Sequence, residues 1–439
     1  MSKKVSKNEL RVVDRDDVDV VDGLADEVTV ALAAIAGAAR EGLLAMSVAA
    51  GLEVMATMLE DERTRVCGPR NAKLTDRDAT RGGTTPSSVV LGGRKVSVRR
   101  PRVQLIDGSG EVPLETWEAF ADEQLLDEIV FERMLAGLAT RRHAAANEPV
   151  GEAVEAAAHS TSKSAVSRRW VRGTQAALDE LMSRDLSELD AVVLYVDGVD
   201  FAATCCVVSM LICADGTKVP VGLREGDTEN KRLVTDLLVD LRDRGLRVDG
   251  GLLVVIDGAK ALATAVRSVF GDLGVIQRCQ IHKRRNVTDY LPKAERGRVE
   301  QRMVRAFNHA DPDQGLADAR RLAGELEVRW PDAAGSLREG LEEMFTVSRL
   351  GIDGRLARTL TNTNCVESMI SIARTTTARV KRWQDGDMRR RWCAAGMLDA
   401  ERSFRRVKGH KQMPRLVAAL QRHAETVTRS NYNKNTVAA

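Results

Sequence analysis

The sequence predicts an α/β fold with one mixed sheet, and three features of residues 189–349 support this prediction. Short runs of apolar, β-branched residues end at Asp197 and Asp257, which is typical of buried strands. Helix-like segments separate the later strands, an order that indicates parallel strands joined by crossover helices. Residues 283–349 show only helical patterns. We therefore expect an antiparallel hairpin set, then parallel strands, then an all-helical segment.

The chain before the sheet divides by composition. Residues 27–62 are rich in Ala, Leu and Met and lack Pro, which favours helix, whereas residues 63–87 are polar and predict a loop. Residues 88–120 alternate apolar and basic residues around Gly92–Gly93, which predicts a small β-ribbon whose outer face carries Arg94, Lys95, Arg99, Arg100 and Arg102. The predicted domains are a helical region (1–62), a basic linker and ribbon (63–120), a helical, helix-turn-helix-like DNA-binding region (121–188), a sheet domain (189–290 and 350–410), an all-helical insertion (291–349) and a C-terminal tail (411–439).

Composition excludes several classes of protein. The chain has 439 residues and a formal net charge of +3. The apolar stretches at residues 28–39 and 42–52 fall short of the roughly 20 residues that span a bilayer, and no apolar segment follows the basic N-terminus, so we expect a cytoplasmic protein without a membrane partner. Seven cysteines without a CxxC pair argue against a disulfide framework or a zinc ribbon.

Basic residues are concentrated in two blocks. Residues 63–102 carry eleven Lys or Arg against two acidic residues, and residues 374–411 carry twelve against four. Such blocks favour contact with a polyanion, and two of them favour nucleic acid, although a solvated face remains open for either one. In the ribbon we expect Arg99, Arg100 and Arg102, the ribbon arginines, to contact DNA phosphates.

A second DNA-binding candidate follows the ribbon. The Ser/Thr-rich residues 160–164 predict a helix start, and Val166 and Trp170 have helical spacing on the inner side. Ser164, Arg168 and Arg169 are then candidates for a recognition helix. A plain amphipathic core helix is an equally good interpretation.

The two strand-end aspartates suggest chemistry. Asp197 and Asp257 each close a strand-like run and each precede Gly. If their strands are neighbours, the two carboxylates converge. Like charges at so short a distance repel each other, which favours a divalent cation between them. The alternative is that both are polar residues at strand ends.

Four further motifs are distinctive. They are the step Cys279-Gln-Ile-His282, the motif TNTNCVES that ends with Glu367 and Ser368, GTKVPVGLREGDTEN after the first aspartate, and RTTTARVKRWQDG after the motif. With these motifs the chain resembles Mutator-type bacterial insertion-sequence transposases. The resemblance covers most of the chain. It implies a DDE transposase with an RNase H-like catalytic core, in which the long gap before Glu367 holds a helical insertion.

The resemblance also assigns the site. It implies that Asp197, Asp257 and Glu367 are catalytic and bind two Mg²⁺ (or Mn²⁺) ions, with His282 acting near the scissile phosphate. Cys279 belongs to the same motif, and a packing role for it remains open. A zinc site at the CxxH step is a minor alternative.

Two motifs depart from the family pattern, at three positions. Cys365 and Val366 stand where Pro and Ile are frequent, and Ile281 stands where a basic residue is frequent. Both departures leave the carboxylates unchanged, so we expect activity to be retained.

The implied partners are double-stranded DNA, as inverted-repeat ends and target, and further copies of the chain in a homodimer or larger synaptic complex, associated with the nucleoid. We expect Arg374, Lys381 and Arg382 to hold phosphates beside the scissile bond. Two other functions remain open: a non-catalytic repressor derived from a transposase, and another RNase H-like nuclease.

Overall fold

The computed structural model describes residues 42–72, 77–148, 150–201, 204–226, 231–378, 380, 382–384 and 387–437. These residues form two compact units. The first contains the chain up to Ile129 together with Arg141–Val166, and the second contains Val130–Thr140 and the chain from Ser167 onward.

The first unit is built on an antiparallel ribbon. Its elements are α1 (Leu43–Cys67), β1 (Ala79–Leu91), β2 (Arg94–Leu105), α2 (Glu115–Ala121), the beginning of α3 (Gln124–Leu135), α4 (Glu152–Ala156) and β3 (Ala158–His159). The sheet order is β1-β2-β3. Gly92 and Gly93 form the two-residue turn with φ of 54° and 78°, a conformation that favours glycine. The predicted ribbon is therefore present.

The ribbon is longer than predicted. β1 begins at Ala79, inside the segment that we expected to be a loop. A register shift between Arg81 and Thr84 accommodates the two glycines there, and Pro86 is tolerated because β1 is an edge strand. Arg94 is also buried, at 2% exposure, and pairs with Glu155, whereas the alternation placed it on the outer face.

Helix α1 covers one side of the ribbon. Met55 and Leu59 on this helix belong to the same core as Val89, Val103 and Trp117. By length and composition α1 is also long and apolar enough to cross a bilayer, although each apolar stretch that we considered in the sequence is shorter. One side of α1 packs against the ribbon, whereas Leu43 and Val54 are 74% and 58% exposed, so most of this helix is not buried.

The second unit contains a five-stranded mixed sheet. Its strands are β4 (Ala191–Phe201), β5 (Thr204–Cys213), β6 (Lys218–Gly226), β7 (Leu252–Ile256) and β8 (Gly274–Arg278), in the order β6-β5-β4-β7-β8. β4, β5 and β6 are antiparallel, and β7 and β8 run parallel to β4. This confirms the predicted α/β class.

Helices complete the second unit. They are α5 (Lys163–Ser183, whose first residues belong to the first unit), α6 (Lys231–Asp243), α7 (Lys260–Phe270), α8 (Gln280–Asp289), α9 (Lys293–Phe307), α10 (Pro312–Glu327), α11 (Pro331–Arg338), α12 (Thr346–Arg349), α13 (Gly354–Leu360), α14 (Asn364–Thr377), α15 (Met388–Arg402) and α16 (Met413–Val437). Residues of α6 and α7 pack on the sheet core. The helices after β8 have a separate core that includes Phe307 and Phe345, whose ring centroids lie 5.7 Å apart.

The segment that we predicted as a C-terminal tail is helical in its described part. Residues 413–437 form helix α16, and Met413, Leu416, Leu420 and Ala424 along one side of it are buried. Their spacing of three to four residues is helical, and this apolar side packs into the unit instead of remaining in solvent.

Candidate active site

Two parallel strands bring the first pair of carboxylates together. β4 and β7 are hydrogen-bonded neighbours, and Val196 lies opposite Ile256 in the register. Asp257 is the residue directly after β7, whereas Asp197 lies within β4, which continues to Phe201 beside β5, so the prediction that Asp197 closes a strand is wrong. Each aspartate still follows directly on one residue of the pair Val196–Ile256. The strand neighbourhood on which the sequence argument depended is thus observed.

The CxxH step begins a helix at this edge. Cys279 N–H donates to the Ile256 carbonyl at 2.7 Å, and Cys279 then caps α8, with its Sγ accepting from the His282 backbone N–H at 3.5 Å. Gln280 N–H donates to the Thr361 carbonyl at 2.9 Å, which ties α8 to the segment before Glu367. The spacing of Cys279 and His282 is therefore that of a capping residue and a side chain in the first helical turn.

Glu367 reaches the site from the first turn of α14. Its Oε1 lies 3.6 Å from His282 Nε2 and accepts a hydrogen bond from Thr363 Oγ1 at 3.0 Å. Thr363 is fully buried, and its Oγ1 also lies 3.4 Å from His282 Nδ1 and 3.6 Å from Cys279 Sγ. One hydroxyl therefore joins the glutamate, the histidine and the cysteine.

Sequence reasoning gave Thr363 no role. The available signal was a Thr four residues before a Glu at a helix start, which places both side chains on one face. Two other supports were also missed. Tyr195 OH donates to the Thr359 carbonyl at 2.9 Å, and Arg278 Nη1 donates to the Gly258 carbonyl at 2.6 Å, directly after Asp257.

Burial and like charges control the ionisation of Asp197. This side chain is only 4% exposed. Burial, and then the neighbouring carboxylates of Asp257 and Glu367, raise its pKa to about 8. The hydrogen bond with Cys279 raises the pKa of His282 to about 9, and the charges of Cys279, Asp197 and Glu367 act in the same direction. Burial raises the pKa of the Cys279 thiol, but hydrogen bonds from His282 outweigh it, and the net pKa is lowered.

The donor atoms suit a hard divalent cation. Three carboxylates, one of them buried beside the other two, are the oxygen ligands that Mg²⁺ prefers, and a cation would favour the ionised form of Asp197. Within the described ranges, however, no group of three or more His, Cys, Asp or Glu side chains is arranged so that it could hold a metal ion as the side chains stand. This finding applies equally to zinc at Cys279 and to Mg²⁺ at the carboxylates, and both stay predictions.

The ribbon arginines are partly neutralised by their own unit. Arg100 and Arg102 both pair with Glu111, at 3.0 and 2.5 Å, while Arg99 is exposed and donates to Thr84 Oγ1 at 2.8 Å. Phosphate contact by all three remains a prediction, with Glu111 as a competing partner.

The α5 candidates separate into two groups. Ser164 and Arg168 are exposed near the start of the helix, where Ser162 Oγ accepts from the Ala165 N–H at 3.3 Å. Arg169 is only 7% exposed and lies on the inner side of the helix with Trp170, so its contact with DNA stays a prediction that would require this side chain to move. Strand β3 and the short helix α4 precede α5.

The basic residues after Glu367 are described only in part. Arg374 lies on the exposed side of α14 and Arg382 is exposed, whereas Lys381 lies outside the described residues. The structure does not test whether any of them contacts a phosphate.

A family comparison covers both units. The protein-family model described as "Transposase, Mutator family" matches residues 25–404, which is most of the chain. The chain belongs to this transposase family. The resemblance stated from the motifs is thereby confirmed, and family membership implies a DNA-processing enzyme.

Relatives carry the same description. The chain is 27% identical over 304 residues to the transposase for insertion sequence element ISRM5 of Rhizobium meliloti, with 68% of this chain and 73% of that protein covered. It is 24% identical over 324 residues to the transposase for element IS256 in transposon Tn4001 of Staphylococcus aureus, with 71% and 79% covered. It is also 29% identical over 205 residues to the transposase for element IS6120 of Mycolicibacterium smegmatis, with 45% of this chain covered and 62% of that protein spanned.

Proposed function

We propose that this transposase binds the inverted-repeat ends of an insertion sequence and catalyses metal-dependent strand cleavage and strand transfer, with the five-stranded sheet as an RNase H-like core. One observation supports the proposal most directly. Asp197, within β4, and Asp257, directly after β7, each follow one residue of the pair Val196–Ile256 on neighbouring parallel strands, and the charges of Glu367 and His282 act on Asp197. A buried carboxylate beside two others is costly for a fold and is explained by a cation-dependent role.

Asp197, Asp257 and Glu367 would hold the metal ions. Bound Mg²⁺ or Mn²⁺ supplies Lewis acidity at a phosphoryl oxygen and an activated water or 3′-hydroxyl. The chain's own residues orient the reacting groups. Thr363 fixes the Glu367 carboxylate by its hydrogen bond. The hydrogen bond with Cys279 and the neighbouring anions raise the pKa of His282 to about 9 although burial lowers it, so the protonated His282 can donate to a phosphate oxygen.

Binding and assembly belong to the same proposal. The ribbon arginines contact phosphates, and Ser164 and Arg168 contribute to recognition of the ends. Cleavage of two ends calls for a homodimer or larger synaptic complex, in the cytoplasm and associated with the nucleoid.

The test compares carboxylate variants with matched controls. Asp197→Asn, Asp257→Asn and Glu367→Gln should each abolish Mg²⁺-dependent nicking of a duplex that carries the element's end, while binding in a mobility-shift assay remains. Asp249→Asn and Glu425→Gln, at exposed carboxylates elsewhere, should cleave like the wild type.

Two outcomes would contradict the proposal. A wild-type protein that shifts the end duplex but never cleaves it is a repressor, and one that cuts RNA–DNA hybrids independently of end sequence is a different nuclease. Near-normal cleavage by any one carboxylate variant would remove that residue from the site.

A further inference from the structure

A basic cleft lies beside the catalytic helix. Its volume is about 820 Å³, and it is lined by six cationic side chains, Lys218, Arg355, Arg358, Arg405, Arg406 and Lys408, which define the basic cleft. The other lining residues are polar or apolar, and none is a carboxylate. The concentration of positive charge predicts an anionic ligand.

Most of this charge is not neutralised. Within the part of the chain that the structure describes, Arg406 is the cleft residue that forms an ion pair, with Asp215 at 3.2 Å. Lys218 lies over the Phe404 ring at 4.8 Å, a contact that leaves its charge intact. Arg358, Arg405 and Lys408 are exposed. The unpaired cations of the cleft repel one another, and a bound anion would relieve this repulsion.

Backbone contacts fix the two walls of the cleft. On one side is α13 and on the other the segment that contains residues 405–408. Thr359 Oγ1 donates to the Lys408 carbonyl at 3.3 Å, and Val407 N–H donates to the Gly216 carbonyl at 2.9 Å. Gly409 has φ of 84°, and a Cβ there would lie 2.5 Å from the Leu356 nitrogen. The cleft is therefore a built feature of the second unit.

The cleft adjoins the catalytic residues. Asn364 and Ser368 line it, and both lie within one turn of Glu367 on α14. Asn364 is three residues before Glu367, a rise of about 4.5 Å along the helix axis. A strand whose scissile phosphate is at Glu367 thus has its neighbouring phosphates within reach of the cleft. The start of α14 also favours anions.

We propose that the basic cleft binds the phosphate backbone of DNA that lies outside the element, either the flank before cleavage or the target during strand transfer. This inference rests on the proposed function. Such DNA has no fixed sequence, and contacts to phosphates position a duplex without reading it. Recognition of the ends, by contrast, needs contacts to base edges, which we assign to α5.

The first test removes charge from the cleft. The variant Arg358→Gln/Arg405→Gln/Lys408→Gln is compared with Lys293→Gln/Arg422→Gln/Arg429→Gln, three exposed cations away from the cleft. Each protein is assayed at saturating concentration for single-turnover cleavage of a flanked end and for joining of a pre-cleaved end to plasmid DNA. The cleft variant should lose at least about tenfold in one or both rates, because misplaced phosphates slow a positioned reaction. The control variant should not.

The two rates distinguish the two sources of DNA. Loss of cleavage alone assigns the cleft to the flank, loss of joining alone assigns it to the target, and loss of both assigns it to each in turn. Unchanged rates overturn the proposal. The proposal also fails if the cleft variant loses as much affinity for an end duplex without a flank as for one with a flank.

The second test does not need catalysis. With Asp197→Asn as background, affinity is measured for an end duplex with and without one helical turn of flanking DNA. The flank should raise the affinity, and the cleft variant should lose that gain. Its slope of log affinity against log salt should also become less steep by about 0.9 for each lost phosphate contact. If the flank gives no gain, or if the gain survives in the cleft variant, the cleft does not bind this DNA. If the wild type neither cleaves nor joins although the flank-dependent gain is observed, the proposed function fails and the cleft assignment stands.

Discussion

Replacing Thr363 with Val tests whether one buried hydroxyl positions the catalytic glutamate. Valine has nearly the same shape, so the fully buried pocket stays filled while the donor to Glu367 Oε1 is lost. The His282 Nδ1, 3.4 Å away, loses a polar neighbour at the same time. We expect Glu367 to gain rotamer freedom away from the metal-binding edge.

The size of the effect follows from the type of bond. A hydrogen bond to a charged acceptor contributes about 1.5–3 kcal/mol. If that energy is lost in the transition state, the cleavage rate falls by roughly 10–150-fold, since 1.36 kcal/mol corresponds to a factor of ten. The free energy of unfolding should change less, because the carboxylate can turn to solvent on its 40% exposed side.

The assay is single-turnover cleavage at saturating protein, with end binding and urea unfolding measured in parallel. Thr363→Ser keeps Oγ1 and serves as the matched control, and it should restore most of the rate. Equal rates in the Val and Ser variants, or a rate loss that parallels a loss of stability, would show that Thr363 only fills space.

Three further predictions concern other parts of the chain. Burial raises the pKa of Asp197 from 3.8 to about 8, so without metal the folded state keeps a proton that the unfolded state loses between these pH values. The free energy of unfolding should therefore fall as pH rises from about 4 to about 8. Urea titrations at several pH values should show a smaller fall for Asp197→Asn. The Lys283 ammonium donates to the Ser336 and Glu339 carbonyls at 2.6 and 2.8 Å at the end of α11. Lys283→Met should therefore lower the free energy of unfolding by about 1–3 kcal/mol. An unchanged thermal unfolding curve would contradict this prediction. Neutralising the ribbon arginines should make the salt dependence of DNA binding, the slope of log affinity against log salt, less steep. Three free phosphate contacts would change this slope by roughly 2.7, and we expect a smaller change because Glu111 pairs with two of the arginines. An unchanged slope would exclude the ribbon from the interface.

The strands near the site could be predicted because their pattern is local. A run of β-branched residues reports a buried strand, and two such runs separated by helical segments imply parallel neighbours. The Asp-Gly step marked the strand end only at Asp257, because β4 continues from Asp197 to Phe201. The helical stretch after β8 was equally readable, since its period is helical throughout. These features depend on residues close together in the chain.

Local patterns were less informative where a side chain's direction depends on distant partners. The alternation of apolar and basic residues predicted that Arg94 lies on the outer face of the ribbon, and Arg169 was a candidate for DNA contact from its place in a polar helix start. Both are buried, and the structure pairs Arg94 with Glu155, about sixty residues away. A charged side chain is buried only when the fold supplies partners, and a sequence window does not contain them.

The sequence by itself determined the α/β class, the family motifs and the choice of Asp197, Asp257 and Glu367 as candidates. The tertiary structure alone decided how they meet. The 3.0 Å bond from Thr363, the supports from Tyr195 and Arg278, and the cations of the basic cleft join segments separated by up to about 190 residues of chain. Periodicity reports which side of an element is buried, whereas a hydrogen bond or a cleft exists only once separate elements have packed at a fixed distance.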